Sequence, residues 1–141
     1  MQKKKQKRKK LKPLRSLALK AWGLVSLIVR TRGADSNGYV SCVTCEKIDH
    51  WKNMHCGHFF HASKQSQISY DFRNLNVQCP GCNTYRGGAR DYYACYLVKR
   101  YGAHVLDELQ TLKHQGHILR RQELEDKIVE LQVLLSELTT P

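Results

Sequence analysis

Two Cys-x-x-Cys pairs constrain this 141-residue chain more than any other feature of its sequence. The pairs are Cys42/Cys45 and Cys79/Cys82, and each such turn presents two thiolates to the same metal ion. Two turns together complete a tetrahedral site, so we predict one structural zinc, with a redox dithiol at either pair as the weaker alternative. The spacer between Cys45 and Cys79 has 33 residues, which is longer than in a simple zinc ribbon and indicates an insertion.

The other two cysteines, Cys56 and Cys95, lack partners at ligand spacing and are predicted to be small buried residues. A basic N-terminus before an apolar stretch resembles the start of a secretory signal, but Arg30 and Arg32 follow without a small-residue cleavage site. We therefore expect a reducing, cytoplasmic compartment, where Cys pairs favour a metal over disulfides. The longest apolar stretch covers 13 positions and contains a lysine. A membrane span needs about 20 residues, which excludes a transmembrane protein.

The positive charge is concentrated at the N-terminus. The formal net charge is +12, and residues 1–32 contain 12 basic and no acidic side chains, whereas residues 33–141 contain 12 of each. Such an arm is typical of proteins that bind nucleic acid. Residues 1–13 are predicted to be a disordered arm whose side chains contact DNA phosphates: Lys3, Lys4, Lys5, Lys7, Arg8, Lys9 and Lys10.

Three further regions follow the arm. Apolar residues at helical spacing after Pro13 predict an N-terminal helix over 14–32: Leu14, Leu17, Ala21, Leu24 and Ile28. A zinc-binding core is predicted over 39–116 and a C-terminal helix over 117–141. Within these regions the pattern predicts a strand at 39–43, a hairpin arm at 48–60, a loop at 61–70, a turn at 71–76, and helices at 90–101, 103–114 and 119–138. The fold class is therefore α+β.

A second chemical signal lies inside the insertion. His55 and His58 bracket a Cys-Gly step, and Asn83 directly follows the second cysteine pair. An imidazole can accept a proton near neutral pH, and imidazole or oxygen ligands can hold a divalent metal that keeps open positions. Three readings remain open besides a catalytic one: a second zinc site formed with His61, ordinary polar loop residues, and a helix N-cap at Asn83.

The motifs in their order resemble the NinG/Rap family of phage recombination proteins, described as structure-specific endonucleases on branched DNA. These motifs are the first cysteine pair, His55–Phe59, Asp71–Leu75, Gln78–Asn83, and Gly87-Gly88 before a tyrosine-rich helix. The resemblance covers roughly residues 14–115. More distantly, the chain is similar to HNH nucleases with a ββα-metal core, including the junction resolvase endonuclease VII.

This resemblance implies a zinc-stapled, HNH-like ββα-metal core with a catalytic Mg²⁺ or Mn²⁺. It implies His58 as the general base, Asn74 as the residue that fixes the catalytic loop, and Asn83 as a metal ligand. HNH motifs place Asp where this chain has Gly57, and endonuclease VII places its Asp where this chain has His55. His55 is therefore the second predicted metal ligand, and Asp49 and Asp71 are the reserve carboxylates. If His58 is the base, the rate should rise with pH near roughly 6 to 7.

Arg73, Arg86 and Arg90 are candidate phosphate clamps, each with a plain surface charge as the alternative. Two other functions remain open: a non-catalytic zinc module that binds DNA, and a sequence-specific HNH endonuclease on duplex DNA. A leucine-rich seam predicts either a coiled-coil homodimer or packing against the helix at 14–32, and it comprises Leu124, Ile128, Leu131, Leu135 and Leu138.

Deletion of residues 1–12 tests the arm. The deletion removes eight positive charges. If about five of them reach phosphates, the slope of log K against log salt should fall by roughly 4 to 5 units, equally for every DNA tested. Fluorescence anisotropy over a salt series measures this slope, and an unchanged slope would assign the arm another role.

Overall fold

The computed structural model describes residues 10–141, an α+β arrangement of four helices and two separate two-stranded sheets. The elements are α1 (Leu14–Thr31), β1 (Tyr39–Ser41), β2 (Ile48–His50), β3 (His55–His58), β4 (Leu75–Gln78), α2 (Arg90–Tyr101), α3 (His104–Gln115) and α4 (Arg121–Thr139). The predicted α+β class and the helices are therefore confirmed. Of the predicted DNA-binding arm, Lys10 is described and exposed, and Lys3, Lys4, Lys5, Lys7, Arg8 and Lys9 lie outside the described residues.

The hairpin predicted over 48–60 was wrong. β2 pairs antiparallel with β1, whereas β3 pairs antiparallel with β4, with His55 opposite Gln78. A short 3-10 turn at Trp51–Asn53 separates β2 from β3, so these two strands join different sheets. The turn predicted at 71–76 runs directly into β4, all four residues of which are buried.

The β3–β4 hairpin lies between two helices. On one face, Cys56 and Leu75 belong to the same apolar core as α1. On the other face, the hydroxyl of Tyr93 on α2 donates to the Gly57 carbonyl at 2.9 Å and accepts from the side-chain amide of Asn76 at 3.1 Å. Because successive strand residues point to opposite faces, each helix contacts its own set of hairpin side chains.

Helices α1 and α4 pack against each other and form the largest apolar core. The buried α4 residues Leu124, Ile128 and Leu131 share this core with Ala21 and Val25 of α1. Leu135 is partly buried against the same core, so four of the five seam positions pack within the chain, as the alternative interpretation predicted. The homodimer stays a prediction, but it loses the free seam on which it was based.

A separate small core joins α2 to α3. It contains Phe59, Tyr93 and Leu97 together with Val105 and Leu109 of α3, and it anchors the segment that follows β3. None of the helices in residues 10–141 has the length and apolar character that a membrane crossing requires.

Leu124→Ala tests the packing of α4 on α1. The Leu124 side chain is fully buried, so its truncation should lower the free energy of unfolding by about 2–5 kcal/mol. Val133→Ala on the same helix is the control, because Val133 is 52% exposed. Urea unfolding of zinc-loaded protein measures both variants. A midpoint that depends on protein concentration would contradict intrachain packing and favour a dimer seam.

Candidate functional site

The four cysteines of the two Cys-x-x-Cys pairs form one cluster at the junction of the two sheets. Their sulfur atoms all lie within 4.8 Å of one another, and the Cys45 and Cys79 sulfurs are 3.7 Å apart. Tetrahedral coordination with Zn–S distances of about 2.3 Å places sulfurs roughly 3.8 Å apart. The cluster therefore has the donor chemistry and the spacing to bind a zinc ion. Within residues 10–141, no other group of three or more Cys, His, Asp or Glu side chains is close enough to share a metal.

Local backbone geometry builds this cluster. Glu46 adopts a left-handed conformation (φ 64°), which closes the turn after the first pair. The Cys82 amide donates to the Cys79 sulfur at 3.4 Å, and the Val43 amide donates to the Val77 carbonyl at 3.0 Å. The first cysteine turn is thereby attached to β4, and a bound ion would connect the two sheets.

The two remaining cysteines differ in environment. Cys56 is buried, as predicted, and burial raises the pKa of its thiol to about 12. The prediction that Cys95 is buried was wrong, because its side chain is exposed on α2. Tyr93 and Leu97 form the buried face of this helix, and position 95 lies on the solvent side.

His55 and Asn83 meet although they are 28 positions apart in the sequence. His55 lies on β3, and Asn83 lies on a single π-helical turn, Gly81–Tyr85, that begins within the second cysteine pair. The Asn83 Nδ2 atom is 3.1 Å from His55 Nδ1, so the amide can donate to the unprotonated ring nitrogen. The two predicted metal ligands are thus adjacent, beside the cysteine cluster. The alternative zinc site of His55, His58 and His61 is not formed.

His58 lies on the other face of β3, toward α1. Its ring stacks on Trp22, with ring centroids 4.6 Å apart and an interplanar angle of 10°, and the His61 ring is 5.6 Å away. Strand alternation separates His55 from His58, since residues three apart point to opposite faces. Burial, followed by the nearby His61 and Lys64 charges, lowers the pKa of His58 to about 4. The neutral ring is therefore favoured at a lower pH than the 6 to 7 expected of an unperturbed imidazole.

Asn74 fixes the segment that follows β3. Its side chain is fully buried, its Oδ1 accepts from the Phe60 amide at 2.8 Å, and its Nδ2 donates to the Phe60 carbonyl at 3.0 Å. The Phe59 amide donates to the Asn74 carbonyl at 2.9 Å. These contacts have the geometry that the predicted loop-fixing role requires.

A side chain at Gly57 would have to displace the end of the Gln78 side chain. A Cβ at this position would overlap the carboxamide of Gln78, whose Oε1 would be its nearest neighbour. The Gln78 amide donates to the Gly88 carbonyl at 2.8 Å and to Thr44 Oγ1 at 3.1 Å, while Oε1 is buried without a hydrogen-bond partner. Gln78 therefore fills the space that an Asp at position 57 would need.

Both reserve carboxylates are engaged elsewhere. Asp49 accepts from the His50 amide and from the Asn53 side chain, and these contacts lower the pKa of its carboxyl. Asp71 binds Arg73 through both carboxylate oxygens and caps its own turn by accepting from the Arg73 amide. Neither carboxylate joins His55 and Asn83.

The three candidate phosphate clamps differ. Arg73 lies between Asp71 and Glu108 and forms ion pairs with both carboxylates, so its role as a clamp stays a prediction. The Arg90 guanidinium donates to the Phe59 carbonyl at 2.6 Å and lies over the Phe59 ring. Arg86 is exposed at the end of the π turn, and its role as a clamp stays a prediction.

Sequence reasoning missed Trp22 and Gln78. Trp22 belongs to a helix that was interpreted only as a packing element, and no local pattern indicates its contact with His58. Gln78 had a usable signal, because Leu75 and Val77 alternate with polar residues as in a strand. That alternation places Gln78 on the same face as Gly57.

A sequence profile described as "Bacteriophage Lambda NinG protein" matches residues 1–140. The chain belongs to the NinG family. Protein ninG of Salmonella phage P22 is 27% identical over 128 residues, which are 91% of this chain and 60% of that protein. Protein ninG of Escherichia phage lambda is 26% identical over 107 residues, 76% of this chain and 50% of that protein.

The predicted NinG resemblance is therefore confirmed, and the chain spans about half to 60% of the length of these ninG relatives. No solved structure matches the chain. The resemblance to HNH nucleases and endonuclease VII stays a prediction.

Cys79→Ser tests the zinc site. The purified protein should contain about one zinc per chain, and loss of one thiolate should unfold the centre, because structural zinc contributes about 10 kcal/mol or more in finger peptides. Cys95→Ser is the matched control, since Cys95 is exposed and outside the cluster. Elemental analysis and circular dichroism measure the outcome. A folded, zinc-free Cys79→Ser protein would contradict the assignment.

Proposed function

We propose that this NinG-family protein is a metal-dependent endonuclease that acts on branched DNA. The observation that carries the proposal is the meeting of His55 and Asn83 beside the four-cysteine cluster. Structural roles alone do not require an imidazole and a carboxamide to converge next to a zinc-type site. The basic N-terminal arm supplies the affinity for a polyanion.

The order of elements supports an HNH-like core. The β3–β4 hairpin is followed by the π turn and then by α2, which packs on the hairpin through Tyr93. This is a ββα succession, with His58 on the first strand and Asn83 after the second. Asn74, between the strands, fixes the segment after β3.

His55 and Asn83 are the residues that would hold the catalytic divalent metal. An imidazole nitrogen and a carboxamide oxygen are donors that a transition metal accepts, and both are neutral, which favours Mn²⁺ over Mg²⁺. The bound metal would stabilise the charge that develops on the phosphate during hydrolysis. The two side chains supply few donors, so DNA phosphate would be expected to strengthen metal binding.

His58 is the proposed proton acceptor. It is the last residue of β3, and its neutral form is favoured by burial against Trp22. Because His55 begins β3 and His58 ends it on the opposite face, the DNA backbone would have to cross the strand for both residues to act. The Trp22 stack holds the ring in one orientation, as a supporting contact must.

A non-catalytic zinc module that binds DNA is the second candidate. Two observations favour it. The Gln78 carboxamide occupies the space that a carboxylate at position 57 would need, and the carboxylates of Asp49 and Asp71 bind other residues. In either case we propose DNA as the partner and the cytoplasm of a bacterial host as the compartment. A homodimer would suit the two incisions that junction cleavage needs.

His58→Phe tests catalysis. Phenylalanine retains the stack on Trp22 but cannot accept a proton, so the variant should fold, bind DNA and lose about two to four orders of magnitude in rate. His55→Ala and Asn83→Ala should instead recover part of their activity at high Mn²⁺. His114→Ala, an exposed position on α3, is the control. Cleavage of a four-way junction and of a linear duplex with the same sequence measures all four.

The pH profile adds a separate readout. Because the pKa of His58 is lowered to about 4, this group should leave the rate unchanged between pH 6 and 8. A titration within that window would assign the proton acceptor to another group. Wild-type speed in His58→Phe, or no cleavage by the wild type with either Mg²⁺ or Mn²⁺, would favour the zinc module.

A further inference from the structure

Tyr85 projects into solvent beside the proposed metal ligands. Its side chain is 86% exposed, more than any other large apolar or aromatic residue in residues 10–141. It ends the π turn that contains Asn83, two positions away. By contrast, Tyr70 and Tyr93 are buried and their hydroxyls bind backbone carbonyls. Buried tyrosines of this kind stabilise the fold, whereas the exposed side chain of Tyr85 does not contribute in that way.

A second exposed tyrosine stands on the other side of the same loop. Tyr92, in the first turn of α2, is 68% exposed. A shallow groove of about 410 Å³ runs along this loop, and it is lined by Arg86, Gly87, Ala89, Arg90, Asp91 and Tyr92. The loop thus has an exposed tyrosine near each end and a groove along it.

The loop between the two tyrosines is fixed rather than free. Gly87, Gly88 and Ala89 all have positive φ values, of 57°, 89° and 46°. The Gly88 amide donates to the Cys82 carbonyl at 2.9 Å, and the Gly88 carbonyl accepts from the buried Gln78 amide. The loop is therefore held by the second cysteine pair and by β4, so Tyr85 is presented in a defined position.

We propose that Tyr85 is a stacking platform for an unpaired nucleobase, with Arg86 on the adjoining phosphate. This inference rests on the proposed DNA-binding function and names the structural feature of DNA that the site recognises. An aromatic ring stacks on any base whose face is free, whereas the bases within a duplex already cover one another. An unpaired base occurs at a branch point, a bulge or a single-stranded end.

The charge distribution favours this occupant. Arg86 directly follows Tyr85, is exposed, and suits a phosphate through its planar guanidinium. Asp91 is the acidic residue of the groove and lies on its α2 side, next to Tyr92. We therefore place the phosphate toward Arg86, which is separated from Asp91 by the glycine pair.

The test measures binding by the full-length, zinc-loaded chain in buffer without added Mg²⁺ or Mn²⁺. The probes are a duplex with an unpaired 2-aminopurine and the fully paired duplex of the same sequence. Tyr85→Ala should weaken binding to the unpaired probe by about 5- to 150-fold, the range for one stacked base, and leave binding to the paired duplex unchanged. Wild-type protein should quench the 2-aminopurine fluorescence, and Tyr85→Ala should not.

Two controls make the result specific. Tyr85→Phe retains the ring and should bind and quench as the wild type does. Tyr39→Ala removes another exposed tyrosine, 48% exposed on β1, and should have no effect.

Equal binding by Tyr85→Ala and Tyr85→Phe, or equal losses on both probes, would overturn the inference and leave Tyr85 to a protein partner. Cleavage is scored separately, so an inactive protein that still shows the Tyr85 effect would refute the nuclease but not the platform.

Discussion

The four-cysteine cluster is the constraint on which the rest of this molecule depends. Its two sheets contain only two short strands each, too few to be stable alone. The cluster takes one cysteine turn from the end of β1 and the other from the end of β4, and a bound ion would hold them together. The π turn that carries Asn83 begins in the second pair, so the same cross-link sets the position of the proposed metal ligand.

Besides the cysteine cluster, three apolar cores stabilise the fold. One lies between α1 and α4, one beneath the cysteine cluster, and one between α2 and α3. The β3–β4 hairpin contacts all three, because Cys56, Val77 and the adjoining Phe59 each belong to a different core. The segment with the candidate site is thus supported from several directions, which is the condition for holding side chains in a fixed geometry.

Sequence patterns predicted the helices, which have a strong periodicity, but not which strands pair with each other. The helices and the cysteine cluster followed from helical spacing and from ligand spacing, both of which are local. The partner of β3 could not be predicted from local sequence. The residues at 48–60 are compatible with a hairpin of their own, but the 3-10 turn at Trp51–Asn53 separates β2 from β3, and β3 pairs with β4. For the site, the sequence indicated that His55 and Asn83 belong together. It could not place His58 against Trp22, since that contact depends on how α1 crosses the hairpin.

The overlap between Gly57 and Gln78 restricts how this chain can change. The two residues are on paired strands and share one volume, with the amide of Gln78 also connecting Thr44 to Gly88. A carboxylate at position 57 would therefore displace the Gln78 carboxamide, and that displacement would break the connection between the first cysteine turn and the loop before α2. The side chains at positions 57 and 78 therefore compete for one volume, so the two positions are expected to vary together among NinG proteins.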